Sequence, residues 1–164
     1  MTTTLRPFAT ADLDPLVDLS LRAWEPVFRA WRDVLGDELF ALAHPSWRDA
    51  QADAVRSTCS THAGTTLVAE RDGRVVGFAA VVVGDPDARG MRAGDLEMIA
   101  VDPRAQRAGT GRLLLDASLD LMREAGCAWA NVWTGGDAGH GPARAMYEAG
   151  GFTALPVVHY YRAL

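Results

Sequence analysis

A chain of 164 residues, 49% hydrophobic and 23% charged, has enough apolar material for one packed core and too much for a disordered segment. Its formal charge of -5 makes it a poor general binder of nucleic acid or anionic membrane. The first residues, MTTTLRPFATADLD, hold no apolar signal core, no apolar run nears the roughly 20 residues of a membrane span, and Cys59 and Cys127 lack disulfide-framework or zinc spacing, so one cytoplasmic domain over residues 1–164 is expected, with no metal.

Thr3–Phe8 reads as a first strand. Thr10 precedes Ala11 and Asp12 as a helix N-cap with acid in the first turn. Leu13, Leu16, Val17, Leu21, Trp24, Val27 and Phe28 then recur at helical spacing up to Trp31, with Pro26 expected to kink or split the helix. A second helical region covers Asp37–Cys59, broken near His44-Pro45. Asp72-Gly73 joins two β-rich runs in Thr65–Gly84 as a hairpin, and Gly77 inside the second run marks a bulge. A polar turn, Asp85–Gly94, leads to a strand, Asp95–Val101, ended by Asp102-Pro103. PRAQRAGTGRLLLDASL (Pro103–Leu119) is a turn with two glycines running into a leucine-rich helix that Gly126 stops. Ala128–Thr134 is the next strand, and Gly135–Gly141 a loop with four glycines. Pro142 suits the first position of a short helix, Ala143–Ala149, and Phe152 onward returns to strand through Val157, Val158, Tyr160 and Tyr161. This order predicts an α/β (α+β) domain: a mixed central sheet with helices on both faces.

The glycine loop resembles a phosphate loop without its chemistry. GxxxxGK[ST] requires a lysine that meets the β- and γ-phosphates, whereas Gly111 is followed by Arg112 and Leu113. A dinucleotide fingerprint requires a third glycine where Leu114 stands. What remains is a helix N-terminus with bare N–H groups and Arg104, Arg107 and Arg112 nearby, suited to an anchored phosphate or diphosphate. The plainer alternative is a helix start that merely tolerates glycine.

Val101–Leu115, with Gln106, Gly109 and Gly111 in a [QR]xxGx[GA] pattern after Val101 and Pro103, resembles the acetyl-CoA-binding motif of the GNAT superfamily of N-acetyltransferases. ARAMYEAGGF (Ala143–Phe152) is similar to a second block of that family, at the usual spacing. The resemblance covers nearly the whole chain and implies the family's mostly antiparallel sheet. It implies that the backbone of Ile99, Ala100 and Val101 pairs with the pantetheine arm of acetyl-CoA. The N–H groups of Arg107, Ala108, Gly109, Thr110, Gly111 and Arg112, beside Gln106, would hold the pyrophosphate. Tyr147 matches the tyrosine near the CoA sulfur, a donor for the leaving thiolate. An acid before the CoA loop is the family's usual base. Glu97 and Asp95, two residues apart on one strand and so expected on one face, are the candidates, Glu97 preferred. They also suit a cationic substrate. His140 stands where many members have an asparagine that binds pantetheine. It can replace those hydrogen bonds, act as a base, or be an exposed loop histidine.

Trp24, Trp31 and Trp47 fall in the family's variable acceptor region, where an aromatic pocket for the acceptor competes with a core role. His44, His62 and His159 show no metal spacing. The leading reading is an N-acetyltransferase in which a primary amine, on a small molecule or peptide, attacks acetyl-CoA directly in a ternary complex. Homodimers are common in the family. The competing readings are a non-catalytic acyl-CoA sensor on the same fold and a nucleotide-dependent phosphotransferase.

Overall fold

The structure is a computed structural model and describes residues 2–164. Strand β1 (Thr4–Pro7) leads through a 3-10 turn, Thr10–Asp12, into α1 (Leu13–Ala43) and α2 (Trp47–Thr61). Strands β2 (Thr66–Arg71), β3 (Arg74–Val83) and β4 (Arg92–Val101) follow, then α3 (Thr110–Glu124), β5 (Cys127–Asn131) and α4 (Gly141–Ala149). The five strands lie in chain order. The first three pairings are antiparallel, and β4 pairs with β5 in parallel. The expected mixed, mostly antiparallel sheet is borne out.

Helices cover both faces because β3 and β4 carry apolar side chains on both. Val68, Phe78 and Ala100 meet Leu16, Leu19, Val55 and Cys59 on the α1–α2 side. Ala79, Val81 and Leu96 meet Leu114, Leu115, Met122 and Tyr147 on the α3–α4 side. Each large side chain so buried contributes about 1.5–3 kcal/mol relative to exposure. Phe28, Phe40 and Trp47 form a third, aromatic cluster, with Phe28 stacked on Trp47 at 4.2 Å.

Several expectations are corrected. The long helix breaks at Gly36 (φ 77°), not at Pro26, which sits inside regular helix. Helix-forming sequence on both sides hides that break. Thr10 does not cap α1. The carboxylate of Asp12 instead accepts from the Ala9 N–H (2.8 Å) and from Arg6 at two nitrogens, each 2.8 Å. The expected bulge near Gly77 is present, where Ala69 pairs with Gly77 and Glu70 with Val75.

A second bulge was not expected. Ala80 pairs with Met98 and Val81 with Leu96, leaving Glu97 as the extra residue of β4. Leu96 therefore joins the α3 cluster while Met98 joins the α1 cluster, although they are two apart. The alternation that was to put Asp95 and Glu97 on one face is interrupted between them. The final expected strand is absent. No residue of 153–164 is in a strand, and all are exposed. Pro156 removes a donor at the head of that run, and Val157-Val158 and Tyr160-Tyr161 are adjacent apolar pairs rather than an alternating face.

Candidate active site

The parallel pairing of β4 and β5 covers only Arg92–Asp95 against Cys127–Asn131. Beyond Asp95 the strands separate, and the β5 side of Leu96–Val101 has no strand partner. A cleft of about 590 Å³ fills the gap. Leu96–Val101 form one wall, Val132–Thr134 the other, and Arg107, Gly111, Met146 and Tyr147 lie between. Backbone polar groups on a strand edge do not stay unpaired without cost. An extended amide-bearing ligand would complete this edge as a sixth strand would.

The glycine loop closes one end of the cleft. Asp102 opens it, accepting from the Arg104 N–H (3.0 Å) and from Arg22 of α1 (2.6 Å). Burial alone would raise the Asp102 carboxyl, but these donors hold it below the usual carboxylate range. Gln106 donates back to the Val101 carbonyl at 3.2 Å, so its amide shapes the loop. Arg107 (φ 60°) and Gly109 (φ 79°) adopt the left-handed conformation just before α3. Gly109 is the N-cap, and the first intrahelical bond runs from Leu113 N–H to its carbonyl. The N–H groups of Gly109, Thr110, Gly111 and Arg112 therefore have no helical acceptor and are available to an anion.

Two side chains of that loop are committed elsewhere. The buried Thr110 hydroxyl accepts from Arg71 at 2.7 Å. The Arg112 Nε lies 2.8 Å from both Asp116 oxygens, and its Nη1 donates to the Ala149 carbonyl at 2.9 Å. Each offers a ligand its N–H group. Arg107 is the loop arginine that lines the cleft.

At the other end Tyr147 is 7% exposed and packs 5.8 Å from Phe152. Burial pushes its hydroxyl up to about 12, so it stays protonated at neutral pH. Glu97 is exposed on its bulge and lines the cleft wall. Asp95 sits at the fork below, where its carboxylate accepts from Asn131 and ties β4 to β5. The structure thus brings Glu97 and Tyr147 to the cleft and leaves Asp95 outside its lining.

His140 also lines the cleft. Asp137, which the sequence reading passed over, accepts from His140 Nδ1 at 2.6 Å and from Trp31 Nε1 at 2.9 Å. Burial favours the protonated Asp137, yet the bonds from His140 and Trp31 outweigh it and hold the carboxyl below its usual range. The D-x-x-H spacing was the available signal, since Asp137 caps the 3-10 turn Ala138–His140 through the His140 N–H. The three tryptophans divide in role. Trp47 is core, Trp24 lines the cleft, and Trp31 reaches Asp137.

The acetyltransferase (GNAT) family model matches residues 24–152. The chain belongs to this family. Its GNAT relatives include a mycothiol acetyltransferase of Sanguibacter keddieii, 35% identical over 144 residues, covering 85% of this chain and 45% of that protein. A mycothiol acetyltransferase of Beutenbergia cavernae is 38% identical over 76 residues, covering 46% of this chain and 24% of that protein. The chain thus spans less than half the length of these relatives. Among solved GNAT structures, the PaiA N-acetyltransferase of Thermoplasma acidophilum in complex with coenzyme A superposes with a TM-score of 0.75 at 14% identity. That match covers 98% of this chain and 96% of the other.

Proposed function

We propose that residues 1–164 act as one acetyltransferase domain, moving the acetyl group of acetyl-CoA to a primary amine by direct attack in a ternary complex. The observation that carries this reading is the separation of β4 from β5 after Asp95, which opens a free strand edge between an anion cradle and a buried tyrosine. A pantetheine arm is a chain of amides that can pair with the edge at Ile99–Val101, and its pyrophosphate fits the N–H groups of Gly109–Arg112. The family relationship supports the same cosubstrate.

The chemistry follows from the other end. A backbone N–H near Ile99 would polarise the thioester carbonyl. The amine lone pair attacks the carbonyl carbon, the C–S bond breaks, and Tyr147 gives its proton to the departing sulfur. The desolvation that raises Tyr147 also raises a thiolate formed beside it, so the transfer stays matched. Glu97, exposed on the wall, is suited to meet the substrate's ammonium. No covalent enzyme intermediate is required. Burial pushes the Cys59 thiol up to about 11, leaving it unreactive.

The acceptor is a small amine in this reading, and mycothiol-related amines belong in the first panel because the curated relatives are mycothiol acetyltransferases. A cytoplasmic setting fits two cysteines that are both free thiols. Among the described residues no helix is long and apolar enough to cross a membrane. Thiol release from acetyl-CoA across an amine panel tests the proposal. Amine-dependent release is expected. Tight acetyl-CoA binding with no release for any amine would identify a sensor instead.

A further inference from the structure

Resting on the acetyltransferase reading, we propose that His140 is the proton acceptor that deprotonates the incoming ammonium, with Asp137 and Trp31 as its positioning residues. An ionised carboxylate only accepts hydrogen bonds, and an indole N–H only donates. Asp137 Oδ2 lies 2.6 Å from His140 Nδ1 and 2.9 Å from Trp31 Nε1. The proton of a neutral imidazole is thereby assigned to Nδ1, leaving the Nε2 lone pair free. The ring belongs to the cleft lining, as do Tyr147 and Glu97. His140 caps α4 and Tyr147 lies seven residues on, two turns along one face, with helical side chains leaning back toward the N-terminus.

The loop is built around this pair. A Cβ at Gly135 would stand 2.2 Å from Asp137 Oδ2 and 2.6 Å from His140 Nδ1. A Cβ at Gly139 would stand 2.6 Å from the Val27 Cα and 2.8 Å from the Pro26 carbonyl, so the turn rests directly on the α1 backbone. Arg144 donates to the carbonyls of Gly135 (2.5 Å) and Asp137 (2.7 Å). Beside the ring are thus Asp137 on its own turn and Trp31 on α1, with Arg144 of α4 bonded to the same loop; Tyr147 and Glu97 are the other titratable side chains lining the cleft. The side chains of Asp137 and His140 are only 9% and 16% exposed. A solvated loop histidine needs none of this. Glu97, by contrast, has no hydrogen-bond partner among the described residues and stays free to bind the ammonium.

The step balances as follows. Nε2 takes one proton from the ammonium, and Asp137 stabilises the imidazolium. The neutral nitrogen attacks the thioester carbon, and the C–S bond breaks with its electron pair going to sulfur. Sulfur takes the Tyr147 proton, the surplus proton on nitrogen returns to Tyr147, and His140 releases its proton to solvent. Amide, free thiol and one proton result.

The test compares wild type, His140→Gln and Asp137→Asn with an ordinary alkylamine and with an amine of low pKa, already neutral at pH 7. For the alkylamine at neutral pH, His140→Gln is expected to lower kcat about 10²–10³-fold, with KM for acetyl-CoA within about twofold. The deficit shrinks as pH rises and is largely absent with the low-pKa amine. Asp137→Asn is expected to show the same pattern at about tenfold to 100-fold, because it loosens the tautomer and the imidazolium. In the unaltered protein, nitrogen NMR of the His140 ring should show Nδ1 protonated and Nε2 bare, a readout that needs no variant to fold. The proposal is overturned by full activity in His140→Gln, by an equal loss for both amines, by a raised KM for acetyl-CoA with kcat unchanged, or by an Nε2–H ring. Wild type that releases no thiol with any amine removes the acetyltransferase reading itself, and this proposal with it. An active wild type beside an unaffected His140→Gln removes this proposal alone.

Discussion

The two ends of the cleft are built from different material. At the glycine loop the groups proposed to bind are backbone N–H groups, and the side chains of Gln106, Thr110 and Arg112 are bonded within the protein. At the Tyr147 end the proposed groups are side chains on four separate elements, placed by a half-buried carboxylate and by glycines that leave no room for a Cβ. A backbone cradle binds through the shape of one short segment. A side-chain site depends on contacts made across the whole chain. Substitutions should therefore act on acetyl-CoA binding at the first end, and on turnover or acceptor binding at the second.

The largest effect expected at the chemical end, after those of His140, is from Tyr147→Phe. Steady-state kinetics should show kcat falling about 100-fold with KM for acetyl-CoA nearly unchanged. An unchanged kcat would make Tyr147 a packing residue. Gly135→Ala should approach the Asp137→Asn phenotype, about a tenfold to 100-fold loss, because the methyl would displace the Asp137–His140 pair. If it instead weakens acetyl-CoA binding and spares kcat, the division between the two ends is wrong.

Glu97→Gln is expected to raise KM for a cationic acceptor about tenfold, the value of one well-placed charge contact, and to leave a neutral acceptor unaffected. The smallest effect is expected at the cradle. Arg112→Ala should change acetyl-CoA affinity less than about twofold by calorimetry, since exposed pairs such as Arg112–Asp116 contribute little and the N–H group is retained. The pH profile sharpens the same contrast. With Tyr147 pushed up to about 12, kcat should not decline as pH passes 10, the ordinary tyrosine value. A decline centred there would show an unburied phenol.

The same contrast explains what the sequence disclosed. The strand, glycine loop and α3 were legible because Gly109, Gly111, Pro103 and the leucine spacing are local signals within one segment. The hairpin at Asp72-Gly73 was legible for the same reason. The Asp137–His140 pair was half legible. The histidine stood out against the family pattern, but Trp31 lies 106 residues from Asp137 in the chain, and only the fold joins them. The bulge at Glu97 carries no glycine or proline to announce it, so the two-residue spacing to Asp95 misled. The tail from Thr153 has strand-forming residues yet pairs with no strand, although the outer edge of β5 is open; Pro156 and the adjacent apolar pairs break the alternation that pairing would need.

Rapid quench of a single turnover with acetyl-labelled acetyl-CoA and an amine, followed by gel filtration in denaturant, is the most direct test. Label is expected to move from acetyl-CoA to the amine in step with thiol release, with none carried by the protein. Label retained on the denatured protein, or acetyl-CoA recovered intact beside the amine, would contradict it.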